Sequence, residues 1–392
     1  MIYKKKLAII SSHPIQYNAP LFSLLHKRNK IYIKVFYTWG STALEEKFDP
    51  GFGETIEWDI PLLTGYNYLF INNTSTKPGS HHFNGIINPT LINDIETFEA
   101  DAILVYGWNF KSHLKVLRYF HNRLPVFFRG DSTLMNDQPF YKKLARKILL
   151  RFIYRHVDFA FHVGSENRKY FKEYGLKDNQ LILSGHAIDM QRFSTNNFEI
   201  VEKAKQWKQN ITHSKNAIVF LFAGKFEQIK NLSLLIKSFN ALKKEDVHLI
   251  IAGSGLLEKE LMVMAEENNN IHFLPFQNQS EMPALYHIAD IFVLPSLSET
   301  WGLSINEAMA CGKAILISDK CGCATDLVKE NINGFIFKNN NEIDLLEQMN
   351  KIIFNKQKLE IMGKQSSDII EQYSFENICL ALENTLIIQK NN

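Results

Sequence analysis

Short apolar runs, each followed by a longer stretch with helical spacing, recur along this chain in two series and leave it few folds to adopt. The first series opens at residues 7–11, passes through a loop at 12–18 into an amphipathic stretch at 19–27, and continues with runs at 31–37, 102–106, 126–128 and 159–163. The second follows a polar connector at 191–216, with runs at 218–223, 248–252, 271–274, 291–294, 314–317 and 334–337. Strands this continuously apolar need cover on both faces, which helices on either side of a parallel sheet supply. The expected class is α/β, with two Rossmann-like domains facing each other across a cleft. Residues 1–195 are read as the first domain, 196–375 as the second, and 376–392 as a helix packing back towards the first. The stretch 47–80, rich in Gly, Pro, Asn and aromatics, reads as a loop excursion over the site.

Bulk properties agree with two domains and exclude several functions. A chain of 392 residues exceeds one ordinary core. Its 44 basic and 41 acidic residues leave a net charge of +3, which gives no field suited to nucleic acid. Four cysteines are too few for a disulfide framework, and Cys321 and Cys323 are too close for a zinc knuckle. No metal site is expected. The apolar run at 7–10 is shorter than a signal-peptide core, and no window approaches the roughly 20 apolar residues that span a bilayer. The expected location is cytoplasmic. Residues 141–156 form a basic amphipathic stretch, read first as an ordinary helix with an apolar core face and a basic solvent face. The alternative is peripheral contact with the inner face of an anionic membrane.

The densest chemistry follows the run at 291–294. There Ser298-Glu299-Thr300-Trp301-Gly302-Leu303-Ser304-Ile305-Asn306-Glu307 leads from a strand through a polar loop into a helix that Gly312 should stop. A helix starting at Gly302, Leu303 and Ser304 presents free N–H groups and a positive dipole end, which suits a diphosphate. Glu299 and Glu307 flank that turn and accept hydrogen bonds from vicinal hydroxyls. Upstream, Gly224-Lys225 and Lys230 place two cations around a turn after another strand, where they can stabilise a diphosphate leaving group as a metal ion would. Gly253-Ser254-Gly255 adds a turn at which backbone can approach a nucleotide closely.

With the run 289–296, these residues resemble the family 4 glycosyltransferases, retaining enzymes of GT-B fold, over 218–337. The resemblance implies that Glu307 binds the donor ribose and Glu299 the transferred sugar, and that Thr300, Trp301, Gly302, Leu303 and Ser304 bind sugar and phosphates through their backbone. Lys230, and Lys225 where the family usually has arginine, would grip the diphosphate. Pro275 and Phe276 would lie beside the base, with Gly224 and Gly253 giving the backbone close approach. The implied reaction moves a hexose from a nucleoside diphosphate sugar, a co-substrate rather than a cofactor, to a glycan or lipid-linked acceptor in bacterial surface polysaccharide synthesis. It would proceed with retention and without metal, the leaving phosphate taking the acceptor proton. The resemblance makes residues 1–195 the acceptor-binding domain and 196–375 the nucleotide-sugar-binding domain; in the first, the family's glycine-rich loop is replaced by a segment containing His13, placed in the cleft. Asp131 matches the position of a family histidine and joins Glu299, Lys225 and Lys230 as a catalytic candidate. Arg129 is a candidate for an acidic acceptor group. The rival readings are a sugar-nucleotide epimerase or phosphorylase on the same scaffold, or a non-catalytic nucleotide-sugar-binding protein.

Overall fold

The computed structural model describes residues 4–44, 47–49, 51–135, 139–194, 197–353 and 356–388. Its strands, numbered along the chain, are β1 Lys6–Ser11, β2 Tyr32–Tyr37, β3 Lys47–Asp49, β4 Glu54–Ile56, β5 Tyr68–Phe70, β6 Ala102–Tyr106, β7 Val126–Arg129, β8 Phe159–His162, β9 Leu181–Leu183, β10 Ile218–Ala223, β11 Val247–Ala252, β12 Ile271–Leu274, β13 Ile291–Leu294, β14 Ala314–Ser318 and β15 Gly334–Phe337. The chain divides into two units, one of Met1–Glu45, Pro61–His186 and Phe375–Asn392, the other of Glu46–Ile60 and Ala187–Ser374. This differs from a simple cut at 195, a position outside the described residues, as are 389–392. The hairpin β3–β4 and the segment from 187 go with the second unit.

The first unit is a parallel sheet in the order β5-β2-β1-β6-β7-β8-β9. Inside it, β1 runs between β2 and β6; Leu7, Ala8, Ile9 and Ile10 are fully buried and Ile9 lies opposite both Val35 and Leu104. Side chains pointing to either face of such a strand meet helices, so the unit has core on both sides of its sheet. One covering helix, Ala19–Arg28, buries Leu21, Phe22 and Leu25 and ends on Asn29 in the left-handed conformation. Within this unit the helix Phe375–Ile388 packs on it. The Arg28 guanidinium grips the buried Glu383 carboxylate with two bonds, of 2.8 and 2.7 Å, a fork geometry that fixes orientation as well as charge.

The second unit is a parallel sheet in the order β12-β11-β10-β13-β14-β15. Phe220, Leu221 and Phe222 of β10 and Ile291, Phe292 and Val293 of β13 are completely buried. The connector expected to be merely polar instead forms helices, Met190–Phe193 and Phe198–Thr212. In the longer one the buried residues are Ala204 and Thr212, so its apolar signal in the sequence is faint.

Candidate functional site

In the second unit, β10 lies between β11 and β13, so the chain leaves β10 towards one side of the sheet and returns as β13 on the other. At such a reversal the two loops part at the carboxyl ends of the strands and leave a crevice, the usual ligand site of open α/β sheets. The loops are 224–231 and 295–302. They meet where the Lys230 ammonium donates to the Glu299 carboxylate, with both side chains about one fifth exposed. A backbone bond from Leu297 N–H to the Ile229 carbonyl, 2.8 Å, supports this meeting. Behind Glu299, its N–H donates to the Lys320 carbonyl at 3.0 Å and its own carbonyl accepts from Gly322 N–H at 2.9 Å. A Cβ on Gly322 would stand 1.9 Å from the Thr300 carbonyl oxygen, so only glycine permits this close backbone approach. The glutamate is thus fixed in place by the turn at 320–323.

The helix after this loop is Leu303–Ala310, entered through Gly302 at φ 99°, a left-handed conformation that suits glycine. Its first turn, where Leu303 and Ser304 are half-buried, follows the exposed Thr300 of the loop and presents backbone N–H groups at the same crevice. The two glutamates are not equivalent. Glu307 is only 2% exposed and accepts a bond from the Tyr286 hydroxyl at 2.7 Å, so it is held inside rather than displayed across the anion site. The donor contact expected of Trp301 runs through its backbone, and its side chain serves the scaffold. The indole is buried, donates to Asn306 Oδ1 at 2.9 Å and lies 5.8 Å from the Tyr373 ring, which makes it the packing that anchors the loop.

Lys225 leaves β10 after Gly224 and is already paired. Its ammonium donates to both Asp49 carboxylate oxygens, at 2.8 and 2.9 Å, and lies 4.9 Å from the centre of the Phe52 ring. Burial alone would raise the Asp49 carboxyl, but bonds from Lys225 and from the N–H groups of Gly51 and Phe52 outweigh it and hold the group below its ordinary range. Phe52 makes an edge contact with Phe276 at 4.9 Å. Gly253 has φ 140°, and a Cβ there would lie 2.0 Å from the Gly224 carbonyl, so these two glycines bring the ends of β10 and β11 together. Neither Asp49 nor Phe52 carries a motif in the sequence. Their pairing with Lys225 spans 176 positions and is created by folding.

In the first unit, His13 follows β1, shares a 2.9 Å bond between its Nδ1 and the Ser12 hydroxyl, and meets Trp39 edge-on. The expectation for Arg129 is corrected. Its side chain is buried, and the guanidinium donates to the carbonyl and hydroxyl of Ser184, both at 2.7 Å, and to the Gly185 carbonyl at 3.3 Å. It ties the ends of β7 and β9 together instead of awaiting an acidic ligand. Asp131 is half-exposed, with a carboxylate oxygen 4.0 Å from the His186 imidazole. Burial and the Arg129 charge push that imidazole down to about 3, so it is neutral.

Asp131 lines a cavity of about 320 Å³ at the carboxyl ends of β6 and β7. Ser132 lines it too, as do Trp108, Asn109, Arg146 and Tyr170, which sequence reasoning missed. The available signal was Trp108-Asn109 directly beyond the strand 102–106. Arg146 donates to the Tyr170 hydroxyl at 3.2 Å. Arg146 belongs to the helix Phe140–Tyr154, which buries Leu150, Ile153 and Tyr154. The opposite face departs from the ordinary amphipathic expectation. Phe140, Leu144, Ile148 and Phe152, spaced by four, are exposed together with Tyr141, Phe140 by as much as 80%. No helix among the described residues is long and apolar enough to cross a membrane.

Residues 203–368 match the family described as Glycosyl transferases group 1. An N,N'-diacetylbacillosaminyl-diphospho-undecaprenol alpha-1,3-N-acetylgalactosaminyltransferase of Campylobacter jejuni is 28% identical over 64% of this chain and 66% of its own length. The chain spans about half to two thirds of the length of the curated relatives it matches. Among solved structures, a glycosyltransferase from Rickettsia africae superposes with a TM-score of 0.72 at 15% identity, covering 99% of this chain and 100% of that one. Anabaena HepE in complex with UDP and glucose gives 0.70 at 18% identity, covering 98% and 100%. The chain therefore has the GT-B type of α/β fold, with two Rossmann-like domains, and its residues 203–368 match the group 1 glycosyl transferases.

Proposed function

We propose that this chain is a retaining, metal-independent glycosyltransferase of family 4 that moves a hexose from a nucleoside diphosphate sugar to a glycan or lipid-linked acceptor on the cytoplasmic face of a bacterial membrane. The observation that carries this reading is the meeting of Lys230 and Glu299 at the strand reversal of the second unit, beside the first turn of Leu303–Ala310. As the bond between sugar and diphosphate breaks, negative charge builds on the leaving phosphate. Lys230, Lys225 and the N–H groups of that turn are fixed donors for it. An ammonium has three N–H bonds, so Lys230 serves a phosphate oxygen while still holding Glu299 in place. Glu299 accepts from hydroxyls of the transferred sugar, and the leaving phosphate oxygen takes the proton of the attacking acceptor hydroxyl on the same face.

The solved HepE complex, with UDP and glucose, supports the donor class. The name of the Campylobacter relative, which carries a diphospho-undecaprenol sugar, supports a lipid-linked acceptor. Two features of the first unit agree with such an acceptor. The cavity beside Asp131 offers aromatic walls for a sugar ring and polar groups for its hydroxyls. The exposed apolar row on Phe140–Tyr154 lies among Lys142, Lys143, Lys147, Arg151 and Arg155, the composition of a helix that rests in an anionic lipid surface.

The test is release of nucleoside diphosphate from a donor sugar in the presence of bacterial lipid-linked acceptors. Glu299→Ala and Lys230→Ala should each lower turnover by about 10²–10³ while leaving the melting temperature near that of the parent. An undiminished rate in either variant would remove that residue from the mechanism.

A further inference from the structure

The hairpin β3–β4 and the residues after it lie along the loops that the proposed function gives to the donor. Asp49 holds Lys225, and the Phe52 ring sits against Phe276. Glu54 accepts from the Ser254 hydroxyl at 2.6 Å, in the glycine turn after β11. Further along, Asn278 Nδ2 donates to the Glu57 carbonyl at 2.6 Å, and Asp59 accepts from the Ser280 hydroxyl. Thus one short segment puts an anion on the lysine expected to grip the diphosphate and an aromatic ring on the phenylalanine expected beside the base. The Asp49 carboxylate also caps the N–H groups of Gly51 and Phe52, at 2.8 and 3.3 Å, so the anion and the ring are presented by a single local turn.

We propose that residues 47–49 and 51–59 form an autoinhibitory strap, an internal mimic of a nucleoside diphosphate that occupies the donor site until the donor displaces it. This rests on the donor-site reading above. A phosphate at Lys225 and the Asp49 carboxylate compete for the same ammonium, and a base on Phe276 competes with Phe52. The donor therefore binds with its intrinsic affinity reduced by the fraction of molecules in which the strap is closed.

Calorimetric titration with UDP, ADP and GDP tests the idea in the full chain. Asp49→Asn keeps the oxygen that caps Gly51 and Phe52 and removes the charge that holds Lys225. It should tighten binding of the preferred nucleotide about fivefold, the size expected for a part-exposed ion pair, and Lys225→Ala should abolish the difference between Asp and Asn at position 49. Hydrogen exchange supplies a second readout, because amides 51–55 should exchange faster once nucleotide is bound. Equal or weaker binding by Asp49→Asn, or slower exchange at 51–55 with nucleotide, would overturn the strap while leaving the donor site standing. No binding of any of the three nucleotides by either protein would overturn the donor site itself, and the strap with it.

Discussion

Lys230 and Lys225 look alike in the sequence, five positions apart around one turn, yet folding gives them different partners. Lys230 pairs with Glu299, a neighbour across the strand reversal, whereas Lys225 is engaged by Asp49. That Lys230 and Glu299 share one site was legible from the motif they belong to, but their pairing needs the adjacency of β10 and β13, which the order of runs along the chain does not disclose. The second pairing was not legible at all, since nothing in the stretch 47–80 marks Asp49 as a partner. Burial likewise separates residues that the motif treats together. Trp301→Ala should destabilise the protein by roughly 3–5 kcal/mol, as expected for emptying a buried aromatic site, which denaturant unfolding would measure. Thr300→Ala, at an exposed position, should leave stability almost unchanged. Similar costs for the two would contradict the scaffold role given to Trp301.

At the level of elements, the central strands were readable almost to the residue, because a strand buried on both faces is a continuous apolar run. The run 218–223 is β10 as found, and 102–106 is β6. The short edge strands β5 and β9 were missed. Tyr68, Leu69 and Leu183 are exposed, so neither strand carries a buried apolar pattern. The helix Phe140–Tyr154 shows the opposite limit. Its sequence says amphipathic, but which apolar residues face inward depends on a sheet that lies elsewhere in the chain. Its outward row gives a direct expectation. Ile148→Glu should weaken binding to vesicles rich in anionic lipid by about tenfold or more in a flotation assay, since a buried isoleucine contributes on the order of 1.5–3 kcal/mol. Unchanged binding would mean that this row does not enter lipid.

For the whole molecule, buried imidazoles make stability depend on pH in one direction. His113 bonds Thr38 and the carbonyls of Tyr106 and Gly107, and burial, only partly opposed by those carbonyls, pushes it down to about 4. His272 and His287 are depressed to a similar level by burial and neighbouring positive charge. Their unfolded forms take up protons near pH 6.5, before the folded forms do, so the unfolded state binds more protons between those values. The melting temperature should therefore be flat above about pH 6.5, fall steadily towards pH 4, and show no such fall if these rings are already protonated in the native state.

A nucleoside diphosphate sugar is proposed to bind at the reversal between β10 and β13, held by Lys230 and Glu299. A thermal-shift screen of UDP, GDP and ADP sugars against the parent chain and Lys230→Ala tests this binding. A ligand at 100 times its Kd stabilises a fold by about 2.7 kcal/mol, enough to raise the melting temperature measurably. At least one of these sugars should raise the melting temperature of the parent and raise that of Lys230→Ala far less. An equal shift in the two proteins, or no shift with any of the sugars, would contradict it.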